Sequence, residues 1–378
     1  MSTAHITLDA RGRHLTLQDQ NRERSFAALW LRERAPDTDT LDAQTGQRLI
    51  EAAQLPLDLT IEEAKVEGDM LRLQFSDAHR TMFPLATLRD AGEVSKSDTP
   101  EDLVLWDAGL ATLPEADFAA ALESDARLLD MLEALRCYGF VRVRGVPGDE
   151  DGMQALIDRI GPLRRTNWGG IADVKSVPQA YDLTMTQRGL EPHTDNPYRD
   201  PIPGYIWLHC LTNAADGGDS TLVDGFMAAR RLREESPEHF ECLTQLATEF
   251  LYTDDTTHLE SEGPLIELDS QGRLHRVRFS NRTERVPAHD PDVLERYYAA
   301  RQRFYELIIS NELTVHLKLD PGEMLIMDNY RLFHGRTAFQ LEGGVRHMRQ
   351  GYVDRDSTAS RRRMLQTLLS TTSKEELQ

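Results

Sequence analysis

Two histidines and one aspartate have the spacing of a metal site. His193 and Asp195 stand two residues apart in the segment HTDNPYRDP, and His334 follows far downstream in DNYRLFHGR. In a strand, residues i and i+2 project from the same face, so His193 and Asp195 can hold one ion together. Two imidazoles and one carboxylate on one face of an octahedral ion leave three positions open, as non-haem Fe(II) oxygenases require. The spacing therefore predicts an Fe(II) site formed by His193, Asp195 and His334.

An arginine that could bind a dicarboxylate co-substrate follows the second histidine. Arg346 lies twelve residues after His334, in the segment GGVRHMRQGYVD. A guanidinium can direct two parallel hydrogen bonds onto one carboxylate, which lysine cannot do. Arg336 and Arg349 are the alternatives, and strand alternation places Arg346 and Arg349 on opposite faces. Together with the iron site, Arg346 predicts a dioxygenase that uses Fe(II), 2-oxoglutarate and O2.

Many short strand-like runs separated by turns fill the part of the chain that must position these residues. We expect strands at Phe140–Val143, Tyr205–Cys210, Ser220–Val223, Leu274–Phe279, Leu313–Leu319 and Glu323–Met327, and helices at Glu115–Tyr138, Asp149–Ile160 and Pro291–Asn311. The predicted fold class is α+β, with a double-stranded β-helix (jelly roll) as the catalytic domain and helices packed outside it. A jelly roll brings its two halves face to face, which would close the long sequence separation between Asp195 and His334.

The chain is long enough for two domains. Residues 1–93 are predicted to form a small β-rich N-terminal domain, with strand-like alternation in His5–Leu8 and Leu71–Phe75 and a buried strand-like run at Phe26–Arg32. Residues 94–101 are polar, contain a proline and lack apolar periodicity, so they are the predicted linker. Residues 102–378 are then the oxygenase domain.

Composition and charge exclude several classes of partner. The formal net charge of −20 argues against nucleic acid, whose affinity rests on Lys and Arg that neutralise phosphates. No run approaches the ~18 apolar residues of a membrane helix, and the N-terminus has no secretory signal. The three cysteines have no CxxC spacing, which fits a reducing compartment. We therefore expect a cytoplasmic protein that acts on a small molecule, with neither nucleic acid nor membrane as partner.

Motifs along nearly the whole chain resemble the γ-butyrobetaine dioxygenase family, within the taurine dioxygenase-like superfamily. They are WLRERAPDTDTLDAQTGQRL, GFVRVRGVP, HTDNPYRDPIPG, LHCL, GGDSTLVDGF and RHMRQGYVDRD. The resemblance implies that His193, Asp195 and His334 bind iron and that Arg346 pairs with the distal carboxylate of 2-oxoglutarate. It also implies hydroxylation of a C–H bond in a small quaternary-ammonium compound. The N-terminal module is expected to provide contacts in a homodimer.

The N-terminal module departs from this family at its zinc site. Family members usually place three cysteines after the WLR motif and a later histidine, and these four residues bind a structural zinc ion. Here the cysteine positions appear as Ala35, Asp37 and Thr40, while His79 remains. One histidine with scattered carboxylates does not make the closed Cys/His site that zinc prefers. We therefore expect no zinc in this chain.

The substrate pocket departs from the family in the residues expected around the cation. Betaine hydroxylases of this family hold the trimethylammonium group in an aromatic cage through cation–π attraction. In the segment NWGGIADVKSVPQAYDLTMT, Trp168 keeps one aromatic wall, but other cage positions appear as Ala172 and Met185. Asp182 stands where the family usually has asparagine, and its carboxylate could attract a cation directly.

A second group of polar residues is expected to contact the acidic end of the substrate. Asn281 resembles the family's substrate-carboxylate contact, Arg282 follows it, and Arg199 adds another cation near the mouth. Extra guanidinium groups suit a dianionic phosphonate, which makes 2-(trimethylammonio)ethylphosphonate, an organophosphonate to be catabolised, the favoured substrate. If these arginines are solvated rim charges, the alternative is hydroxylation of γ-butyrobetaine to carnitine. A non-catalytic binding protein on a jelly-roll scaffold is the second alternative, and the complete triad with Arg346 argues against it.

Overall fold

The structure is a computed structural model, and it describes residues 4–19, 22–91, 103–175, 186–341 and 344–375. Contacts between residues divide the chain into two units, Met1–Ser97 and Asp98–Gln378. The predicted linker, residues 94–101, lies outside the described residues.

Two three-stranded antiparallel sheets build the first unit. Its elements are β1 (His5–Leu8), β2 (His14–Asp19), β3 (Arg22–Ala27), α1 (Ala28–Glu33), a 3₁₀ turn (Ala52–Gln54), β4 (Ile61–Glu67), β5 (Met70–Phe75), β6 (Arg80–Pro84) and α2 (Leu85–Asp90). Leucine and phenylalanine side chains from both sheets fill one core, in which Leu15, Leu73 and Phe75 are fully buried. The strand-like run expected at Phe26–Arg32 is wrong in its second part, because the chain turns into α1 at Ala28.

Two larger sheets organise the second unit. Its strands are β7 (Glu115–Asp117), β8 (Phe140–Arg144), β9 (Ala172–Lys175), β10 (Leu190–His193), β11 (Tyr205–Asn213), β12 (Asp216–Gly217), β13 (Ser220–Asp224), β14 (Thr248–Thr253), β15 (His258–Gly263), β16 (Ile266–Leu268), β17 (Leu274–Val277), β18 (Glu284–Arg285), β19 (Thr314–Leu317), β20 (Glu323–Asp328), β21 (Leu332–Arg336), β22 (Phe339–Gln340) and β23 (Arg346–Val353). One sheet has the order β7-β8-β20-β11-β23-β9 and the other β10-β21-β13-β19. Apolar side chains of both, among them Ile206, Leu222 and Leu325, share one core. The predicted α+β jelly roll is confirmed.

Helices cover the outside of the jelly roll. They are α3 (Phe118–Glu123), α4 (Asp125–Tyr138), α5 (Gln154–Ile160), α6 (Gly225–Glu235), α7 (Pro237–Gln245), α8 (Pro291–Ile308) and α9 (Arg355–Glu375). Side chains of α3, α4, α5 and α9 form a second core with the outer face of the six-stranded sheet, and α6, α7 and α8 form a third with β14 and its neighbours. Over the part of the chain that the structure describes, no helix has the length and apolar character needed to cross a membrane.

All three predicted helices have different bounds in the structure, and the one expected at Pro291–Asn311 ends at Ile308. The helix expected at Glu115–Tyr138 is wrong as a single element, because it begins with the strand β7 and is interrupted at Ser124. The Ser124 hydroxyl accepts a hydrogen bond from the backbone N–H of Arg127, so this serine caps a new helix. The helix expected at Asp149–Ile160 starts only at Gln154.

Candidate metal centre and substrate cavity

The jelly roll brings the three predicted metal ligands together. Strand β10 pairs with β21, and His193 is the register partner of His334, with ring centroids 4.4 Å apart. The Oδ1 atom of Asp195 lies 3.4 Å from Nε2 of His193 and 3.6 Å from Nε2 of His334. One ligand atom from each residue lies within 4.8 Å of the other two. Two imidazole nitrogens and one carboxylate oxygen in this arrangement suit an octahedral divalent ion with open positions.

Hydrogen bonding and burial prepare these side chains for a metal. Nδ1 of His193 lies 2.8 Å from the Glu191 carbonyl oxygen, which keeps the proton on Nδ1 and the lone pair on Nε2. Burial first, and then the charges of His193 and Arg282, lower the pKa of His334 to about 4 against the opposing charge of Asp195. Burial raises the pKa of Asp195, but the two imidazoles and the Tyr352 hydroxyl outweigh it and hold this pKa below its ordinary value. At neutral pH His334 and Asp195 are therefore unprotonated donors.

Three residues that the sequence reasoning missed hold Asp195 in place. Its Oδ2 atom accepts hydrogen bonds from the Gln350 amide, at 2.8 Å, and from the Tyr352 hydroxyl, at 2.8 Å. The buried Asn329 accepts the backbone N–H of Asp195, at 2.7 Å, and donates to its carbonyl, at 2.9 Å. Strand alternation could have found Gln350 and Tyr352, because both share a face of β23 with Arg346. Asn329 stands five residues before His334 in the quoted motif, yet its spacing alone indicates no contact.

Arg346 is a buried cation that lacks an acidic partner among the described residues. Its side chain is 4% exposed, and its guanidinium contacts the Gly218 carbonyl at 3.5 Å and the Phe339 ring at 5.3 Å. The Nε atom is buried without any hydrogen-bond partner in the described structure. Burial lowers the pKa of Arg346 below its ordinary value. A buried charge in this state fits an anionic ligand such as the carboxylate of 2-oxoglutarate.

The two alternative arginines are engaged by the protein itself. Arg336 donates to the backbone carbonyls of Thr186 and Arg188. Arg349 donates to the Asp173 carboxylate, at 2.8 Å, and lies on the opposite face of β23 from Arg346. These contacts favour Arg346 over both alternatives as the co-substrate arginine.

The metal centre and Arg346 line one cavity of about 1260 Å³. Three rings on its lining are called the aromatic wall here: Trp168, Tyr198 and Tyr252. The Tyr252 ring lies 5.4 Å from Trp168 and 5.1 Å from Tyr198, centroid to centroid. Its hydroxyl donates to the Asp254 carboxylate, at 2.9 Å, and hydrogen bonds hold the pKa of Asp254 at about 2. The carboxylate is exposed and lies outside the cavity lining, so its hydrogen bond orients the Tyr252 ring within the wall.

The predicted substrate residues have different positions relative to this cavity. Trp168 and Arg282 lie on its lining, whereas Arg199 and Asn281 are absent from the lining that the described residues form. The Arg199 guanidinium carbon lies 5.8 Å from the Trp168 ring centroid, so Arg199 supports the aromatic wall. The side-chain oxygen of Asn281 accepts a hydrogen bond from Arg301, at 3.3 Å.

Two further predicted substrate residues belong to the segment 176–185. Asp182 and Met185 lie outside the described residues. Their roles at the cationic end of the substrate stay predictions. Ala172, at another position of the family's cage, lies on the cavity lining, and its methyl group offers no π-face.

The positions of the family's zinc ligands form a polar cluster in the first unit. The Nε2 atom of His79 lies 2.9 Å from the Asp37 carboxylate, and Asp39 is close enough to complete a group of three possible ligands. Thr40 is fully buried, and its hydroxyl accepts a hydrogen bond from Arg32 at 3.2 Å. Asp37 and His79 thus contact each other directly. The absence of zinc stays a prediction.

Comparisons with known proteins match both parts of the chain. The model of the family described as taurine catabolism dioxygenase TauD, TfdA family matches residues 101–352, and that of the gamma-butyrobetaine hydroxylase-like N-terminal domain matches residues 6–89. The chain is 33% identical to a gamma-butyrobetaine dioxygenase from Pseudomonas sp. (strain AK-1), over 90% of each protein. It is 29% identical to the mitochondrial trimethyllysine dioxygenase of Rattus norvegicus, over 93% of this chain and 85% of that protein.

The fold also matches a solved structure. A taurine dioxygenase from Burkholderia xenovorans superposes with a TM-score of 0.50 and 16% sequence identity, covering 67% of this chain and 90% of that one. At this identity the likeness shows the fold alone.

Proposed function

Because the chain belongs to the taurine catabolism dioxygenase TauD, TfdA family, we propose that it hydroxylates a small zwitterion with a trimethylammonium group at one end and an acidic group at the other. Family membership confirms the resemblance read from the motifs, and the chain is an Fe(II)- and 2-oxoglutarate-dependent dioxygenase. We assign Fe(II) to His193, Asp195 and His334, and 2-oxoglutarate to Arg346. When bound, iron with 2-oxoglutarate and O2 supplies the oxidising power for hydroxylating an unactivated C–H bond.

The protein's own contribution is to orient the reactants and limit water. Arg346 would hold the far carboxylate of the co-substrate through a bidentate contact and so fix one end of it at the cavity lining. The Asn329 side chain holds the backbone of Asp195 by accepting its N–H at 2.7 Å and donating to its carbonyl oxygen at 2.9 Å. The substrate must then present one C–H bond at a defined position, and a fixed geometry of this kind lowers the barrier through pre-organisation.

The single observation that supports this substrate class is the presence of aromatic rings and a guanidinium on one cavity lining. The aromatic wall can hold a trimethylammonium group, because each ring presents a negative face to a cation within ~6 Å. The hydrogen bond from the Tyr252 hydroxyl to the exposed Asp254 carboxylate holds this ring in the wall. Arg282 supplies positive charge for an acidic group on the same lining. A zwitterion satisfies both ends, whereas taurine offers only a primary ammonium group.

Among such zwitterions, γ-butyrobetaine ranks first. The relative from Pseudomonas sp. acts, by its name, on γ-butyrobetaine, and it aligns over 90% of both proteins. The relative from Rattus norvegicus is named for trimethyllysine, which carries the same quaternary group. The phosphonate that was favoured from the sequence ranks second, and the placement of Arg282 on the cavity lining supports it.

The test of this proposal is co-substrate turnover by the protein loaded anaerobically with Fe(II). Succinate formation should be fastest with γ-butyrobetaine, followed by 2-(trimethylammonio)ethylphosphonate, with trimethyllysine and taurine slower. Mass spectrometry should show a product that has gained one oxygen atom. Turnover that is coupled to taurine alone, or to none of the four, would contradict the proposed substrate class.

The aromatic wall is tested through Tyr252. Replacing Tyr252→Leu should raise the KM for γ-butyrobetaine about tenfold, because a cation–π contact contributes up to ~2 kcal/mol in a desolvated site. Tyr252→Phe is the matched control, since it keeps the ring and should retain most of the affinity. The carbon isostere 5,5-dimethylhexanoate, which keeps the carboxylate but has a neutral tert-butyl group in place of the trimethylammonium group, should show no comparable difference between the two variants. Equal losses for the cation and its isostere would mean that the wall recognises shape alone.

The choice between carboxylate and phosphonate is tested through Arg282. Arg282→Ala should reduce kcat/KM for the phosphonate more than for γ-butyrobetaine, because a dianion loses more Coulomb energy when a cation is removed. Equal reductions for both substrates would remove the argument for a phosphonate.

A further inference from the structure

One strand carries both the co-substrate arginine and the residues that contact the far side of the metal carboxylate. Along β23, alternate residues share a face, which places Gln350 and Tyr352 on the same side as Arg346. Both side chains reach Oδ2 of Asp195, each at 2.8 Å. The other oxygen, Oδ1, faces the Nε2 atoms of His193 and His334. The two oxygens of this carboxylate therefore have different surroundings.

We propose that Gln350 and Tyr352 are positioning residues that hold Asp195 so that only its Oδ1 atom reaches the metal. The inference rests on the proposed function insofar as Asp195 is taken as a metal ligand. A carboxylate can bind a divalent ion through one oxygen or through both. A second oxygen on the metal would take one of the three positions that two histidines and a one-oxygen carboxylate leave open.

The hydrogen bonds to Oδ2 oppose the rotation of the carboxylate that would bring this second oxygen to the metal. Hydrogen bonds to a charged carboxylate are short and about twice as strong as neutral ones, and here two donors converge on one oxygen. The donors also support each other, because the Gln350 amide donates to the Tyr352 hydroxyl oxygen at 2.7 Å. Tyr352 is 6% exposed, so little water competes with its hydroxyl for Oδ2 of Asp195.

Metal binding without turnover tests these two residues. The variants Tyr352→Phe and Gln350→Met each remove one donor while nearly preserving shape. Partners of this kind typically contribute 10- to 100-fold to metal affinity. We therefore expect each variant to bind Co(II) about tenfold more weakly than the unaltered protein. The visible absorption of bound Co(II), which depends on coordination number and geometry, should also change.

A residue on the opposite face of the same strand provides the control. His347 contacts Asp173 at 2.7 Å and does not contact Asp195, so His347→Gln should leave both Co(II) affinity and spectrum unchanged. Circular dichroism melting confirms that each variant is folded, and because each variant removes one donor to Oδ2, a single folded variant suffices. Unchanged Co(II) affinity and spectrum in a folded variant would overturn the inference. Since no substrate is present, this result is independent of whether γ-butyrobetaine is turned over.

Discussion

Arg346 is a buried guanidinium whose counter-ion must come from a ligand, because the described residues provide no carboxylate for it. Arg346→Ala should raise the KM for 2-oxoglutarate about 100-fold, since hydrogen bonds to charged groups contribute ~1.5–3 kcal/mol. Arg346→Lys should recover only part of the loss, because an ammonium group cannot make the bidentate contact. Succinate formation at varied 2-oxoglutarate concentration measures both. A normal KM in Arg346→Ala, with a raised KM in Arg349→Gln, would transfer the role to Arg349.

Asn329 supports Asp195 through the backbone and not through the carboxylate. Asn329→Ala leaves the part-buried N–H and C=O of Asp195 without their partner, and a buried group left unsatisfied costs up to ~1–3 kcal/mol. We expect both the free energy of unfolding and the Co(II) affinity to fall, as measured by urea unfolding and metal titration.

A core truncation separates these two effects of Asn329. Leu132→Ala removes a buried side chain on α4, and it should lower stability without changing Co(II) affinity. If Asn329→Ala behaves as Leu132→Ala does, the asparagine has a structural role only.

At the scale of single residues, the sequence predicts most clearly those contacts that depend on local geometry. His193 and Asp195 follow from the alternation of a strand, and Arg346 follows from the same rule applied to β23. Gln350 and Tyr352 obey this alternation too, but their contact with Asp195 depends on how the two sheets face each other. No pattern within one segment shows which residues of the two sheets meet. For the same reason, the sequence does not predict that Tyr252 lies beside Trp168.

At the scale of elements, strands were predicted better than the ends and breaks of helices. The apolar periodicity of Glu115–Tyr138 continues across Ser124, so a capping serine within the pattern was overlooked. Helix α9 was not predicted at all, because two of its buried positions are Thr358 and Arg362. The Arg362 guanidinium donates to the Glu133 carboxylate at 3.0 Å. A charged residue with a polar partner therefore occupies a buried helix position where the periodicity of an amphipathic helix would have an apolar residue.

Strand β11 contains a buried histidine that should make stability depend on pH. Neither ring nitrogen of His209 has a hydrogen-bond partner among the described residues, and burial lowers its pKa below 6.5. The unfolded chain therefore takes up a proton near pH 6.5 that the folded chain does not, and stability falls as the pH drops below that value. The loss due to His209 is at most about 1.4 kcal/mol per pH unit.

A comparison of variants isolates this contribution from the other titrating groups. His209→Leu should lose less unfolding free energy than the unaltered protein when urea unfolding is repeated at pH 7.5 and at pH 5.5. His316→Leu is the control, because the His316 side chain is exposed on β19. Equal pH dependence for His209→Leu and the unaltered protein would show that His209 is protonated in the folded state.

At the scale of the whole molecule, the two units have separate hydrophobic cores. The core of the first unit contains only residues from its two small sheets and their helices. The three other cores belong to the second unit, which also contains all residues assigned here to iron. We therefore expect two unfolding transitions, because cooperative unfolding follows the limits of a shared core.

Metal ions should stabilise only the second unit. Binding to the folded state adds RT ln(1 + [L]/Kd), about 2.7 kcal/mol when the ligand is at 100 times Kd. In differential scanning calorimetry, Co(II) should raise the melting temperature of the transition that belongs to residues 98–378, and a chelator should reverse the shift. Leu73→Ala, a truncation in the first core, identifies the other transition because it lowers that one alone.

The cluster of Asp37, Asp39 and His79 in the first unit is the second group among the described residues that could hold an ion. It therefore provides a direct test of the prediction that metal ions stabilise only the second unit. Because His79 lies 2.9 Å from Asp37 as a hydrogen-bonded pair, we expect the first transition to be the same with zinc, with Co(II) and with a chelator. Elemental analysis should accordingly find one transition metal per chain, lost in His334→Ala and retained in His79→Ala. A second stoichiometric metal that disappears in His79→Ala, together with a metal-dependent first transition, would show that carboxylates have replaced cysteines in a working zinc site.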